Sequence, residues 1–213
     1  SEDKVYNVLF LCTGNSARSI IGEALCNYWG RGQFRGFSAG SQPKDAVHPL
    51  ALELLEHMSI PRDGLRSKSW DEFAVPDAPR MDFVFTVCDR AAKETCPDWP
   101  GQPISAHWGM PDPVKAEGTD AEKSLAFHQA YGALQNRIKV FSALPIASLD
   151  RISLQKAVDD IGRTDAGDVE VVSYPDFGQG VAVGSGRVDG ATGFATNEPV
   201  QLALQGLDVL TAN

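Results

Sequence analysis

Residues 5–19 read VYNVLFLCTGNSARS, and the order of residue types in this stretch decides the fold. Residues 5–11 are an almost continuous apolar run, broken only by Asn7, which is the pattern of a strand buried on both faces of a parallel sheet. Residues 12–16 are small or polar and turn-forming, and from Ala17 a helical pattern runs to residue 29. A buried strand, a tight loop and a helix in direct succession make the opening unit of an α/β domain. In such sheets ligands bind beyond the C-terminal ends of the strands, which is where Cys12 stands.

Working outward, the same alternation continues. Residues 34–39 and 104–108 read as strands, as does MDFVFTV at 81–87. Residues 49–58 read as a short amphipathic helix. In the long helix expected over 119–141, Phe127, Ala130, Tyr131, Leu134, Ile138 and Phe141 share one face. Thr119, followed three residues on by Glu122, makes a capping box at its start. A last helix is expected over 149–161, stopping at Gly162. Four strands separated by helices imply a three-layer α/β sandwich, a four-stranded parallel sheet with helices on both faces.

The loop after the first strand carries chemistry. Gly14 and Asn15 tolerate positive φ, so residues 13–17 (Thr13, Gly14, Asn15, Ser16 and Ala17) can turn backbone N–H groups inward as an anion nest. The helix N-terminus adds partial positive charge. Arg18 can clamp an oxyanion bidentately. The same field is expected to lower the pKa of Cys12 and make it nucleophilic at neutral pH. Ser19 is placed to donate a hydrogen bond to that thiolate. The Cys-x5-Arg spacing alone is a weak signal; its position between strand and helix gives it weight.

Length, charge and cysteine content bound the function. The 213 residues suffice for a full core without disulfide or metal staples. No apolar run is long enough to span a bilayer. The charged start, Ser1 to Lys4, lacks the pattern of a signal peptide, so a chain complete at that end is expected in the cytoplasm. A net charge of −9 with no basic cluster argues against nucleic acid and anionic membrane as partners. Any anion must be held by local structure. In a reducing compartment Cys12, Cys26, Cys88 and Cys96 are expected as free, catalytic or redox-active thiols.

From Thr164 onward the composition changes: seven acidic residues, one arginine, no lysine and 8 of the 20 glycines. The domain boundary is therefore placed at 163/164, with a body of residues 1–163 and an acidic, glycine-rich extension of residues 164–213. The alternating Val169, Val171, Val181 and Val183 fit short hairpins, a disordered extension or part of a fusion.

VLFLCTGNSARSIIGEAL, followed by SAGS at residues 38–41, resembles the low-molecular-weight protein tyrosine phosphatase superfamily. The resemblance implies that residues 13–19 cradle a tetrahedral oxyanion. It also implies a general acid in an Asp-Pro pair, which Met110-Pro111-Asp112-Pro113 supplies as Asp112 after the fourth strand. Some relatives hold potassium under the loop with groups matching Asn15, Glu23 and Ser38. Here Arg66-Ser67-Lys68 occupies the region that would complete that site, so a lysine can stand in for the cation, and no metal is expected.

Cys88, at the end of the third strand, and Cys96, in VCDRAAKETCPDWPG, together with His107-Trp108-Gly109, are similar to the arsenate reductases built on the phosphatase fold. That resemblance covers roughly residues 5–163. It implies reduction of arsenate to arsenite, with Cys12 as nucleophile and Cys88 and Cys96 as the second and third thiols of a disulfide relay. It needs no bound cofactor and takes electrons from thioredoxin, or from glutaredoxin with glutathione. A disulfide needs Cα atoms within about 7 Å, whereas eight residues of helix rise about 12 Å, so a helical 88–96 segment must rearrange to be bridged. The tyrosine pair common after the Asp-Pro of phosphatases is replaced by Val114-Lys115, which favours a small inorganic substrate. Two other readings stand beside this one: a tyrosine phosphatase with incidental cysteines, and a non-catalytic oxyanion-binding protein. Cys26, inside the first helix, reads as a core residue, and no Cys/His spacing suggests zinc.

Overall fold

The computed structural model describes residues 4–164, 169–174 and 178–183. In chain order the elements are β1 (Tyr6–Leu11), α1 (Arg18–Trp29), β2 (Phe34–Ala39), α2 (Pro49–His57), β3 (Phe83–Thr86), α3 (Asp89–Lys93), β4 (Ile104–His107), α4 (Asp120–Ser142), α5 (Arg151–Arg163), β5 (Val169–Tyr174) and β6 (Gly178–Val183). The first four strands form one parallel sheet in the order β2-β1-β3-β4. Every strand and helix expected in residues 5–163 is present.

The near-continuous apolar run of β1 is explained by its alternation between two cores. Val8 and Phe10 pack into the larger cluster, with side chains from α1, α2, α4 and α5. Leu9 and Leu11 point the other way, into a smaller cluster with Ala39, Phe73, Met81 and Val84. The two faces are covered unequally. The four long helices all contribute to the larger cluster, while the smaller one is closed by the 3-10 turn Trp70–Phe73 and by Trp99 and Cys96. Trp108 is wholly buried, stacks on Phe85 at 3.8 Å and donates Nε1–H to the carbonyl of Val158. It thereby fastens the end of β4 to α5.

Local chemistry sets the helix ends. Thr119 Oγ1 accepts from Glu122 N–H at 3.2 Å, which is the expected N-cap of α4. Asp150 caps α5 in the same way through Ser153 N–H. Gly162 does not stop α5 as expected; the helix continues to Arg163. A Cβ at position 162 would collide with the His107 carbonyl oxygen, so this glycine serves close packing against the end of β4. Residues 88–96 are helical only over α3, which ends at Lys93.

β5 and β6 pair antiparallel, with Val169 opposite Val183 and Val171 opposite Val181, which is the hairpin reading of those valines. Apart from Thr164, the rest of the extension lies outside the described residues. Among the described residues no helix is long and apolar enough to cross a membrane.

Candidate active site

β1 and β3 are neighbours with Leu11 opposite Thr86, so the chain leaving each strand emerges at the same sheet edge. Cys12 follows β1 directly, and Cys88 follows β3 after Val87. Both line a cavity of about 720 Å³ beyond that edge. The floor is the loop 12–18. Its carbonyls are turned outward: that of Thr13 accepts from Gln42 N–H, that of Gly14 from Lys44 N–H and that of Ser16 from His48 N–H, at 2.8–3.0 Å. In a trans peptide the N–H points opposite to the C=O. The N–H groups of Gly14, Asn15 and Ala17 therefore face away from those partners, and Gly14 and Ala17 line the cavity, an arrangement able to hold an anion. Asn15 takes the positive φ of 43°, and Gly14 does not need to.

Cys12 and Cys88 are neighbours in the cavity wall, and their titrations are linked. Cys88 caps α3, accepting from Ala91 N–H at 3.3 Å, and its sulfur lies 3.8 Å from Thr13 Oγ1. The Cys12 thiol, burial notwithstanding, and these further donors hold Cys88 down to about 5. Cys12 is pushed well up by Cys88 and by burial, against the pull of Arg18. This corrects the sequence-based expectation for Cys12. Within the pair, the donors from Ala91 and Thr13 favour the charge on the Cys88 sulfur.

Arg18, at the start of α1, donates NH1 to the Met110 carbonyl at 2.8 Å and places NH2 3.4 Å from Asp112 Oδ2. Asp112 caps a short turn through Val114 N–H and lines the cavity, as expected for the acid. Lys44, Arg90 and Lys115 stand on the walls. Among the described residues lining the cavity none is aromatic.

Asn15 and Ser19 do not line the cavity; both are fully buried beneath it. Asn15 Nδ2 donates to Ser19 Oγ at 2.8 Å, and Asn15 Oδ1 accepts from Lys68 N–H at 2.9 Å. Ser19 thus accepts from Asn15, and no hydrogen bond from it to Cys12 is formed, contrary to expectation. Lys68 Nζ sits 3.5 Å from Glu23 Oε1 and 3.5 Å from Ser38 Oγ, and donates to the Arg66 carbonyl at 2.8 Å. An ammonium therefore fills the place beneath the loop where potassium would go, and these residues do not fit a further cation. Burial pushes Lys68 down and Glu23 up, opposed in each case by the partner's charge.

Cys96 is half-buried on the smaller core face beside Trp99 and does not line the cavity. Burial, and then the charge of Glu94, push its thiol up. Cys26 is fully buried in the larger core, as expected. His48 is a helix cap, accepting from Leu50 N–H. Sequence reasoning missed two residues. Arg137, buried in α4, donates to the carbonyls of Trp108, Gly109 and Thr164, and so anchors the loop carrying Asp112. Glu94 accepts from Thr13 Oγ1 at 3.2 Å. A buried arginine amid the apolar pattern of α4 was the one visible signal for the first; nothing in sequence marks the second.

The sequence profile of the low molecular weight phosphotyrosine protein phosphatase family matches residues 7–153, from β1 into the start of α5. The chain belongs to that family. Within the low molecular weight phosphatase family it is similar to proteins named arsenate reductase. One from Halalkalibacterium halodurans is 35% identical over 135 residues, covering 63% of this chain and 94% of the relative. One from Bacillus subtilis is 32% identical over 141 residues, covering 66% and 96%. A solved structure described as an arsenate reductase in oxidized state is 26% identical, with a TM-score of 0.53, over 64% of this chain and 96% of that one.

Proposed function

We propose that this chain reduces arsenate to arsenite. The observation that carries the reading is a second thiol, Cys88, lining the same cavity as the loop cysteine, Cys12. Hydrolysis of a phosphate ester has no use for that thiol. The absence of an aromatic wall among the described lining residues fits a small tetrahedral anion rather than a phosphotyrosine side chain.

In the proposed sequence, arsenate takes the inward N–H groups and displaces Arg18 from its contacts with Met110 and Asp112. The shared proton passes from Cys12 to Cys88 as the Cys12 sulfur attacks arsenic. Asp112 delivers a proton to the departing hydroxyl, which leaves as water. Cys88 releases its proton to solvent and attacks the Cys12 sulfur. A Cys12–Cys88 disulfide forms, and the S–As bonding pair stays on arsenic, which departs as arsenite. Cys96 then attacks Cys88, freeing Cys12, and an external dithiol reduces Cys88–Cys96. Thioredoxin is the donor the reading favours, with glutaredoxin and glutathione as the other source, in a reducing cytoplasmic compartment. Residues 1–163 carry the reaction, and residues 164–213 are an appendage to it.

The intact loop and acid favour a second reading, a phosphatase. Arsenate-dependent turnover, measured in parallel with thioredoxin and glutaredoxin systems and against aryl phosphate hydrolysis, separates the two. Turnover with a thiol donor supports the reductase. Aryl phosphate hydrolysis with no arsenate-dependent thiol consumption overturns it.

A further inference from the structure

We propose that Glu94 is a positioning residue that couples oxyanion occupancy of the cavity to release of the segment carrying Cys96. The proposal rests on the reading of residues 12–18 as an oxyanion loop.

Glu94 follows the last turn of α3, two residues before Cys96. Its Oε1 accepts from Thr13 Oγ1 at 3.2 Å and lies 3.7 Å from Arg90 Nε. Its Oε2 is buried and makes no hydrogen bond. A buried carboxylate oxygen without a donor is costly, so the resting position depends on the two contacts at Oε1. Both partners, Thr13 and Arg90, line the cavity. They are the groups an incoming oxyanion would recruit. The Thr13 hydroxyl has one proton to give, and it already lies between Glu94 and the Cys88 sulfur, 3.8 Å away. An oxyanion in the loop therefore takes Glu94's donors and sets a like charge beside it.

Ejecting Glu94 moves the chain that bears Cys96. It also removes a negative charge that opposes ionisation of the Cys96 thiol. Before substrate binds, the same latch keeps Cys96 on its own face of the sheet, so Cys88 remains reduced until substrate is present.

The test uses the full chain, inorganic phosphate as a redox-inert oxyanion, and the rate at which N-ethylmaleimide labels Cys96, read by peptide mass spectrometry at one fixed pH. Saturating phosphate is expected to speed Cys96 labelling about tenfold, as the repulsion and the lost donors together release the segment. Glu94→Gln keeps an acceptor for Thr13 but no charge to be repelled, so phosphate should change its Cys96 labelling rate little, whatever its basal rate. Glu94→Ala should label fast without phosphate. Calorimetric titration of phosphate accompanies each protein. If phosphate does not bind the parent protein, the oxyanion reading and this proposal fall together. If it binds but leaves Cys96 labelling unchanged, or accelerates Glu94→Gln as much as the parent, the oxyanion loop stands and the role of Glu94 is refuted.

Discussion

Two segments face each other across the cavity, and they are built in opposite ways. Residues 12–19 are held from below and behind by backbone bonds to residues 42, 44 and 48, by the Asn15–Ser19 and Asn15–Lys68 bonds, and by the buried ammonium of Lys68 beneath them. Residues 88–96 contain one five-residue helix, with side-chain ties at its two ends besides the contact of Cys88 with Thr13. His107 Nε2 meets Asp89 Oδ1 at 2.9 Å at one end, and Thr13 meets Glu94 at the other. Rigidity suits the half that must present donors to charge developing on a substrate. Few ties suit the half whose third cysteine starts on the wrong face of the sheet.

The largest effect should come from removing the nucleophile of the rigid half. Cys12→Ser is expected to lower both arsenate reduction and aryl phosphate hydrolysis by about 10³-fold or more, because a hydroxyl at neutral pH is a far weaker nucleophile than a thiolate. Steady-state assays of both reactions check this. Retention of either activity would remove Cys12 from the centre of the site.

Next is the foundation of the loop. Lys68→Met leaves Glu23 buried opposite Ser38 without its cation, and should cost about 3 kcal/mol of stability in denaturant titrations. A loss no larger than that of an ordinary surface substitution would show that the loop does not rely on the ammonium below it.

The thiol pair joins the two halves, and its titration sharpens the contrast between them. Cys88 is held down to about 5, so the pair carries a thiolate above that pH and loses it as the pH falls through it. Iodoacetamide labelling at Cys88 should therefore rise through about pH 5 and be flat near neutrality. Cys12→Ala removes the largest cause of the shift, and the inflection should move upward. An inflection in the ordinary thiol range, about 8.5, in the parent protein would dissolve the pair.

The smallest effect belongs to the extension. Truncation after Thr164 keeps the carbonyl that Arg137 uses, and should change arsenate turnover little and stability by less than about 0.5 kcal/mol. Loss of cooperative unfolding in the truncated chain would place the extension in the core.

Much of the site is legible in the sequence. The run VYNVLFL, the turn-forming CTGNS and the helix after it place Cys12 and Arg18, because strand and helix periodicities are local. The Asp-Pro pair places Asp112 at the cavity because the order of elements carries it to the same sheet edge. The charge on the thiol pair is not legible. It depends on contact between two residues that follow neighbouring strands, and on donors from Ala91 and Thr13 that only folding brings together. Gly162 misleads because a helix-stopping glycine and a close-packing glycine look alike in sequence; only the nearby carbonyl of His107 distinguishes them. The positive φ of Asn15 and its role in fixing the loop by hydrogen bonds are legible; Ser19 looks from sequence as if it faces Cys12, but its hydroxyl lies beneath the loop and accepts from Asn15.

If oxidation passes from Cys12 outward through Cys88 to Cys96, peptide mass spectrometry after a single exposure to arsenate, with thiols trapped by alkylation, will catch it in transit. A Cys88–Cys96 crosslink is expected in the parent protein. In Cys96→Ser a Cys12–Cys88 crosslink is expected after one turnover, with hydrolysis of an aryl phosphate intact. Repeated turnover of arsenate by Cys88→Ser with thioredoxin as sole donor, or trapped parent protein with no crosslink between these cysteines, would contradict the relay.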